Sequence, residues 1–587
     1  MKYRELRVLL TKRFELPKER IVHTTIRSFT LAEKTVFYFL VGVFILSGLT
    51  LLSRVNSSFM VTIPVRGGTL IEGVVGTPRF INPVLAISDA DKNLSVLVYS
   101  GLVRHSSDGN NEVINDLADN LSISKDQLTY TAHIRPDAIF QDGARVTADD
   151  VIFTIQKIQN GSLKSPLFGD WNGVLVEKID EETVSFSLKR PYAPFISNLT
   201  IGILPKHIWK NVTDDEFSFS QFNILPMGSG PYKIKLVERN SGGIPNYYNL
   251  ETFTGVVGDV PFIDNLIFKF YSNQTDLLNA YSAGDIESMA GISALEASNL
   301  KKAGANIVSS PLLRIFGVFF NQGRSKPLLD KAVRQALDLS APKEQIVANI
   351  LHGYGTPIDG PFPAGLFSWS DDRSLDTNYE ERFKSAEEIL KKGGWVKNEK
   401  TGVLEKKSKS GTLVLSFSIS TGNTPELKAA GDLLKEAWGK LGAKVDVLVF
   451  ETSDLNQNVI RPRKFDALLF GEVINRNADV YPFWYSKERN DPGLNIALYA
   501  NSAVDKLLDH VRSTKDVESL EKDARAFDKE IRNDIPAVFL YTPGFIYVVP
   551  EKVENINLGK LSSTQDRFQD IRNWYIETHK VWQLFTK

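Results

Sequence analysis

Residues 35–52 read TVFYFLVGVFILSGLTLL, eighteen positions without a charge. A helix of that length spans about 27 Å, close to the roughly 30 Å hydrocarbon core of a bilayer. Lys34 and Arg54 bracket the run, and residues 1–34 hold nine Lys/Arg against four Glu. That bias keeps the basic tail in the cytoplasm and places the bulk of the chain outside. We expect a single uncleaved transmembrane helix over 35–52. A cleaved signal peptide and a buried core helix are the competing readings. Against the signal stand the long basic region, the long apolar run and the lack of a clear A-x-A site. Upstream, Leu6, Leu9, Leu10 and Phe14 fall near one helical face, with Arg4, Arg7 and Lys12 elsewhere and Pro17 ending the stretch. This is either an interfacial helix on anionic headgroups or a solvated tail. Residues 53–66, which include Pro64, read as a tether reaching at most about 50 Å.

The 587 residues are too many for one compact core, so two or three domains are expected. With 42% hydrophobic and 24% charged residues the outer part reads as globular. A formal net charge of −1 offers no electrostatic case for nucleic acid. The chain has no cysteine, which excludes disulfides, thiolate metal sites, a cysteine nucleophile and a lipidated cysteine anchor. No two of the seven histidines lie within five residues, and H-E-x-x-H, Walker A and G-x-S-x-G are all missing. Asp89-x-Asp91-x-Asn93 starts like a calcium loop but lacks its glycine and closing glutamate. No metal, cofactor or catalytic centre is therefore expected.

One local unit is clear. Residues 412–419 (TLVLSFSI) are rich in β-formers, and Thr424 and Pro425 suit a helix start. Leu427, Ala430, Leu434, Ala437, Trp438 and Leu441 recur at helical spacing before Gly442, and residues 444–450 (KVDVLVF) resume a strand. Strand, helix and strand in about 40 residues make a βαβ unit with parallel strands. Further helices are expected over 330–339 and 385–392, and the mixture favours an α/β class.

From Gly67 onward a series of short motifs keeps one order. They are Asn82-Pro83, Tyr99-Ser100-Gly101-Leu102, Phe140-Gln141-Asp142-Gly143, Ala148-Asp149-Asp150-Val151, Leu204-Pro205-Lys206-His207 and Pro226-Met227-Gly228-Ser229-Gly230-Pro231-Tyr232. Pro327, Asp330, Val333, Arg334, Gln335, Ala336 and Leu337 follow, then Gly394-Trp395, Asp534-Ile535-Pro536 and Phe539-Leu540-Tyr541. In that order, over some 500 residues, the chain resembles the family 5 extracellular solute-binding proteins, the oligopeptide- and dipeptide-binding components of ABC importers. Most of these motifs have structural readings too. Thr147 with Asp150 suits a helix cap, Gly228, Gly230 and Pro231 a sharp turn, and Arg334 a paired structural arginine.

The resemblance implies an α/β fold, a two-lobe type II periplasmic-binding-protein fold with an extra subdomain in lobe I, preceded by one N-terminal transmembrane helix. The expected division is 1–34 basic cytoplasmic tail, 35–52 transmembrane helix, 53–66 tether and 67–314 lobe I, with the subdomain at about 108–205. Lobe II covers 315–538, and 539–587 return to lobe I. Crossings between lobes are expected near 311–321 and 537–541, and hinge closure would trap a ligand between them.

In peptide-binding members a strand segment pairs with the bound peptide, and an aspartate soon after it holds the peptide's amino group. Here the segment begins FDALLFGEVINRNAD at Phe465. Gly471 and Val473 would meet ligand backbone, and the amine position falls on Asn475, which offsets no ammonium charge. Asp479 is either a rearranged anchor or a structural acid, and Glu472 stands where the family often has tryptophan. Asn82, Tyr99 and Trp484 complete the expected ligand-binding set, core packing being the alternative for each. Expected partners are a peptide ligand, ABC permease subunits with their ATPase, and the membrane, the protein itself being monomeric. A module that binds or senses a non-peptide solute such as an oligosaccharide, without transport, is the second reading. A hydrolase is a third.

Overall fold

The computed structural model describes residues 19–106, 113–367, 369, 378–408, 411–514 and 516–585. The chain divides into two units, one of residues 1–65 with 578–587 and the other of residues 66–577. Leu6, Leu9, Leu10 and Phe14 lie outside the described residues.

In the first unit, helix Glu19–Ser28 precedes helix Leu31–Ser58. Thr30 caps the second helix. Its backbone N–H donates to the Glu33 carboxylate at 2.8 Å, and its hydroxyl accepts the Glu33 N–H at 3.4 Å. None of the 28 residues is buried, and the mean hydropathy of the apolar window is 2.2. The helix extends beyond 35–52 because the flanks LAEK and SRVNSS contain no breaker. The segment expected as a tether is helical to Ser58, and Met60–Val65 is a strand paired with Glu577–Trp582. Val61, Thr62, Ile63 and Val65 suit a strand, and Pro64 is tolerated because each strand of a two-stranded sheet is an edge.

The second unit is organised by a twelve-stranded sheet. Its strands in chain order are β1 (Thr69–Val75), β2 (Tyr232–Arg239), β3 (Pro245–Thr252), β4 (Asn265–Tyr271), β5 (Ser288–Ala290) and β6 (Ile307–Pro311). Then come β7 (Arg314–Phe320), β8 (Gly355–Pro357), β9 (Ser416–Gly422), β10 (Lys444–Phe450), β11 (Ala467–Val473) and β12 (Ala537–Val548). The spatial order is β10-β9-β11-β7-β12-β5-β1-β4-β3-β2, with β6 and β8 also on β12. Residues 537–541 of β12 pair with β7, and its second half pairs with β6 and β5.

Among the described residues, four apolar cores pack on this frame. The largest gathers side chains from Leu70 to Phe268 and again from Phe545 to Trp574, with a smaller core around Leu277, Ile286 and Met289 beside it. These define lobe I. Two cores between Leu313 and Tyr541 define lobe II. Within β7, Ile315 and Phe319 enter one lobe II core while Val318 and Phe320 enter the other. A strand buried on both faces reads as an unbroken apolar run, as IFGVFF does. The small sheet of Ala118–Ile123, Thr129–Ile134, Thr183–Ser187 and Leu175–Lys178 stands apart from the large one.

The βαβ unit forms as β9, helix Pro425–Leu441 and β10, parallel in register from Ser416↔Lys444 to Gly422↔Phe450. Gly442 ends the helix at φ 104°, a left-handed cap that favours glycine. The strand expected over 412–419 is divided at Leu415. Gly411–Val414 joins a three-stranded sheet, while the Leu415 N–H donates to Leu404 O and its carbonyl accepts from Lys444. Gly228 and Gly230 serve close approach and not a turn dihedral: a Cβ there would stand 2.2 Å from Val98 O and 2.6 Å from Leu97 O. Thr147 and Asp150 form a capping box, and Arg334 donates to the carbonyls of Leu328, Leu329, Asp534 and Ile535.

A buried charge cluster ties the returning chain to lobe I. Arg567 Nη2 donates to Glu72 on β1 at 2.9 Å and its Nη1 to Asn93 at 3.0 Å. Glu72 also accepts from Tyr547 at 2.8 Å and from Ser288. Both charged residues are about 1% exposed. Removing one partner of such a pair strands the other charge in low dielectric. We predict that Arg567→Met lowers unfolding stability by about 3–5 kcal/mol in a urea titration, and by clearly more than Glu72→Gln combined with Arg567→Met.

Candidate functional site

Strand β11 pairs with β7 along its whole length, Val473 opposite Arg314 and Ala467 opposite Phe320. On its other side it meets β9 only through Ala467, Leu468 and Leu469. The Ile474 N–H donates to Leu313 O, which sets the phase of the antiparallel ladder. Residues 474 and 472 then turn their backbone groups toward β7, and Gly471 and Val473 turn theirs to the opposite side. Beyond Leu469 that side has no neighbouring strand among the described residues. Gly471 and Val473 thus form a short open edge where the two lobes approach. Val473 is 47% exposed. Gly471 has no room for a side chain, since a Cβ would lie 2.7 Å from the Phe316 ring, itself stacked on Tyr541.

The chain after β11 reaches across to lobe I. Asn477 Nδ2 donates to Ser197 Oγ at 2.8 Å, and Arg476 pairs with Asp566 at 3.4 Å. Asp479 is 4% exposed and accepts from Arg512 through Nε at 2.9 Å and Nη2 at 2.7 Å. The Tyr192 hydroxyl of lobe I donates to the same carboxylate at 3.2 Å, and the Tyr481 N–H also donates to it at 3.2 Å. The Arg512 guanidinium lies 3.8 Å above the Tyr481 ring, within cation–π range. Asp479 thus joins Arg512 and Tyr481 of lobe II to Tyr192 of lobe I. Asn475 is exposed, but its Oδ1 already accepts the Asp479 N–H at 3.0 Å, so the amide shapes the loop.

Facing this loop, lobe I holds a cavity of about 310 Å³ whose walls include Tyr99, Arg104, His105, Asp116, Gln565 and Asp566. Tyr99 stands at the end of helix Asp89–Val98 with its hydroxyl buried and without a hydrogen-bond partner. His105 Nδ1 and Gln565 Oε1 are likewise buried and unpartnered. Burial, reinforced by Arg476, pulls the His105 pKa down to about 4, so its ring is neutral at pH 7. Burial raises the Asp116 pKa against the opposing pull of Arg572. Unpaired buried polar atoms around a void suit a polar guest or ordered water.

Two expected residues lie elsewhere. Asn82 is fully buried inside lobe I, its amide donating to Asn223 Oδ1 at 3.0 Å and its oxygen accepting the Val84 N–H. Trp484 is fully buried in lobe II against Phe319, Tyr499, Phe527 and Phe539. Hydrogen bonds hold Asn82 within lobe I, and aromatic packing holds Trp484 within lobe II. Sequence reasoning missed Tyr192 and Arg512, which no local spacing links to Asp479. It also passed over Arg314, whose signal was a lone charge within PLLRIFGVFFN. Arg314 Nε is buried without a partner, and burial lowers the side-chain pKa while Asp89 opposes the shift.

Glu472 has the same character with opposite sign. It is 3% exposed, and neither carboxylate oxygen has a hydrogen-bond partner. Burial alone raises its pKa well above the ordinary glutamate value.

Residues 112–493 match the bacterial extracellular solute-binding proteins, family 5 (middle region). The chain belongs to this family. The family is extracytoplasmic and binds solutes. Over 529 residues the chain is 28% identical to the oligopeptide-binding protein AppA of Bacillus subtilis, covering 87% of this chain and 92% of that one. The structure of that protein with a nonapeptide superposes with a TM-score of 0.65 at 27% identity, over 88% of this chain and 100% of the other. Campylobacter jejuni NikZ in complex with Ni(L-His) gives 0.65 at 27%, over 86% and 99%. The architecture is thus the two-lobe type II periplasmic-binding fold.

The orphaned carboxylate has a consequence for stability. A glutamate whose folded pKa exceeds its unfolded one loses stability as pH rises from the unfolded value through the folded one. Glu472→Met should therefore stabilise the protein at pH 7 by about 1–3 kcal/mol, and by less at pH 4. Chemical denaturation at both pH values checks the size and the sign.

Proposed function

We propose that this protein is the membrane-anchored peptide receptor of an ABC importer. Peptide binds between lobes that close by hinge motion and is handed to permease subunits driven by an ATPase. In this reading residues 1–34 are a cytoplasmic tail and 67–314 form lobe I, with a subdomain at about 108–205. Residues 315–538 form lobe II and 539–587 return to lobe I. The ligand contacts Gly471, Val473 and Asn475 on one side and Tyr99 on the other. The observation that carries the proposal is the open edge of β11 at Gly471 and Val473, facing lobe I. An extended peptide can add there as a further strand and use backbone groups that have no other strand to meet. The nonapeptide held by the Bacillus subtilis relative supports the same ligand class. A non-peptide solute is the second reading, favoured by the Ni(L-His) held by the Campylobacter jejuni protein.

Proline at Val473 removes an N–H that β7 does not use, so the ladder survives while the open edge loses a donor. We predict that Val473→Pro weakens binding of an alanine-based nonapeptide about tenfold or more and moves the thermal midpoint little. Isothermal calorimetry beside a thermal melt decides it. Equal affinity in variant and wild type rejects strand addition, and mass spectrometry of small molecules released from purified protein then separates peptide from other solutes.

Helix Leu31–Ser58 supports an anchor retained in the mature protein, with the N-terminus inside. N-terminal sequencing of protein from membranes should find the helix intact, and protease added to intact cells should digest only the part after Ser58. A mature chain starting beyond Leu52 would show the helix to be a signal.

A further inference from the structure

We infer that Glu472 is a subsite for a positively charged side chain of the bound ligand, an ammonium or guanidinium group. The inference rests on the peptide reading and deepens it. Side chains alternate along β11, so Leu468, Glu472 and Ile474 share one face, and Ile315 lies beside Glu472 across the ladder. Leu468, Ile474 and Ile315 all belong to the lobe II core. The carboxyl thus enters apolar surroundings with no donor for either oxygen. Arg314 does not neutralise it, because residue 314 pairs with Val473 and its side chain leaves by the opposite face. Burial is the sole cause of the shift in the Glu472 pKa, which also speaks against a cation of the chain beside it.

Leaving such a group unsatisfied is costly, and apolar residues of similar volume would fill the place better. A ligand repays the cost only if it brings a charge-assisted donor. The position is suited to that exchange. Glu472 lies between Gly471 and Val473, the two residues with open backbone edges. A strand added there places every second side chain on the face that carries Glu472. The partner is accordingly a side chain projecting from the added strand. An amino terminus would lie nearer the plane of the backbone.

The test uses the full chain in detergent and an alanine-based nonapeptide in which one lysine is moved through the nine positions, each compared with norleucine. Every peptide is prepared with a free and with an acetylated amino group. We expect one lysine register, or two adjacent alternate ones, to bind at least about tenfold more tightly than its norleucine counterpart, acetylated or not. Glu472→Gln should abolish that preference. Glu472→Met should reverse it toward norleucine. A lysine preference that survives in both variants overturns the assignment, as does the absence of any favoured register when the all-alanine peptide binds. If acetylation removes a preference that depends on Glu472, the cation is the amino terminus and the side-chain assignment fails. If no peptide in the set binds, the peptide reading itself falls, and the subsite with it.

Discussion

All four cores of the large unit take side chains from a single strand. In β12, Ala537 and Phe539 enter one lobe II core and Val538, Leu540 and Tyr541 the other. Further along, Phe545 and Tyr547 enter the main lobe I core and Ile546 and Val548 its satellite. The changeover falls at residues 542–544, opposite the junction of β6 and β7. The lobes therefore meet along a shared ladder of backbone hydrogen bonds, with Tyr354 of lobe II packing against the lobe I satellite core beside it. Such a junction transmits bending more easily than a packed core does, which is what closure on a ligand requires.

The cleft is also where the protein accepts costs. Asp479 and Arg512 satisfy one another, and Tyr192 joins them from the opposite lobe. Glu472, Arg314 Nε and the hydroxyl of Tyr99 have no such partners. Interiors usually satisfy their polar groups; these three exceptions lie at the open strand edge and the lobe I cavity, while others, such as Trp369 Nε1 and Asp528 Oδ1, lie elsewhere. On the proposed reading the arrangement trades folding stability for recognition.

The local chemistry of the chain was readable without the fold. The apolar run at 35–52, the Thr147–Asp150 cap, the helix closed by Gly442 and the alternation in KVDVLVF each depend on neighbours within a few residues. The family motifs carried the two-lobe architecture because their order spans almost the whole outer part. What failed locally failed through distant partners. Leu415 divides an apparently continuous strand because its N–H finds Leu404, and Gly228 and Gly230 are small because helix Asp89–Val98 ends against them.

The sequence by itself determined the βαβ unit, the membrane-length helix and the kinship of the outer domain, since these rest on periodicity, capping and motif order. It also pointed to the segment from Phe465 as the proposed ligand strand, and it marked Asn475 and Glu472 as departures. Only the tertiary structure decided which polar groups are spent and which are left over. Asn82 is taken up by Asn223 and Val84, Trp484 by the lobe II core, Asp479 by Arg512 from 33 residues away, and Glu472 is left unpaired. The physical reason is that desolvation and hydrogen-bond satisfaction depend on everything that surrounds a group in space, and most of that surrounding is remote in the chain.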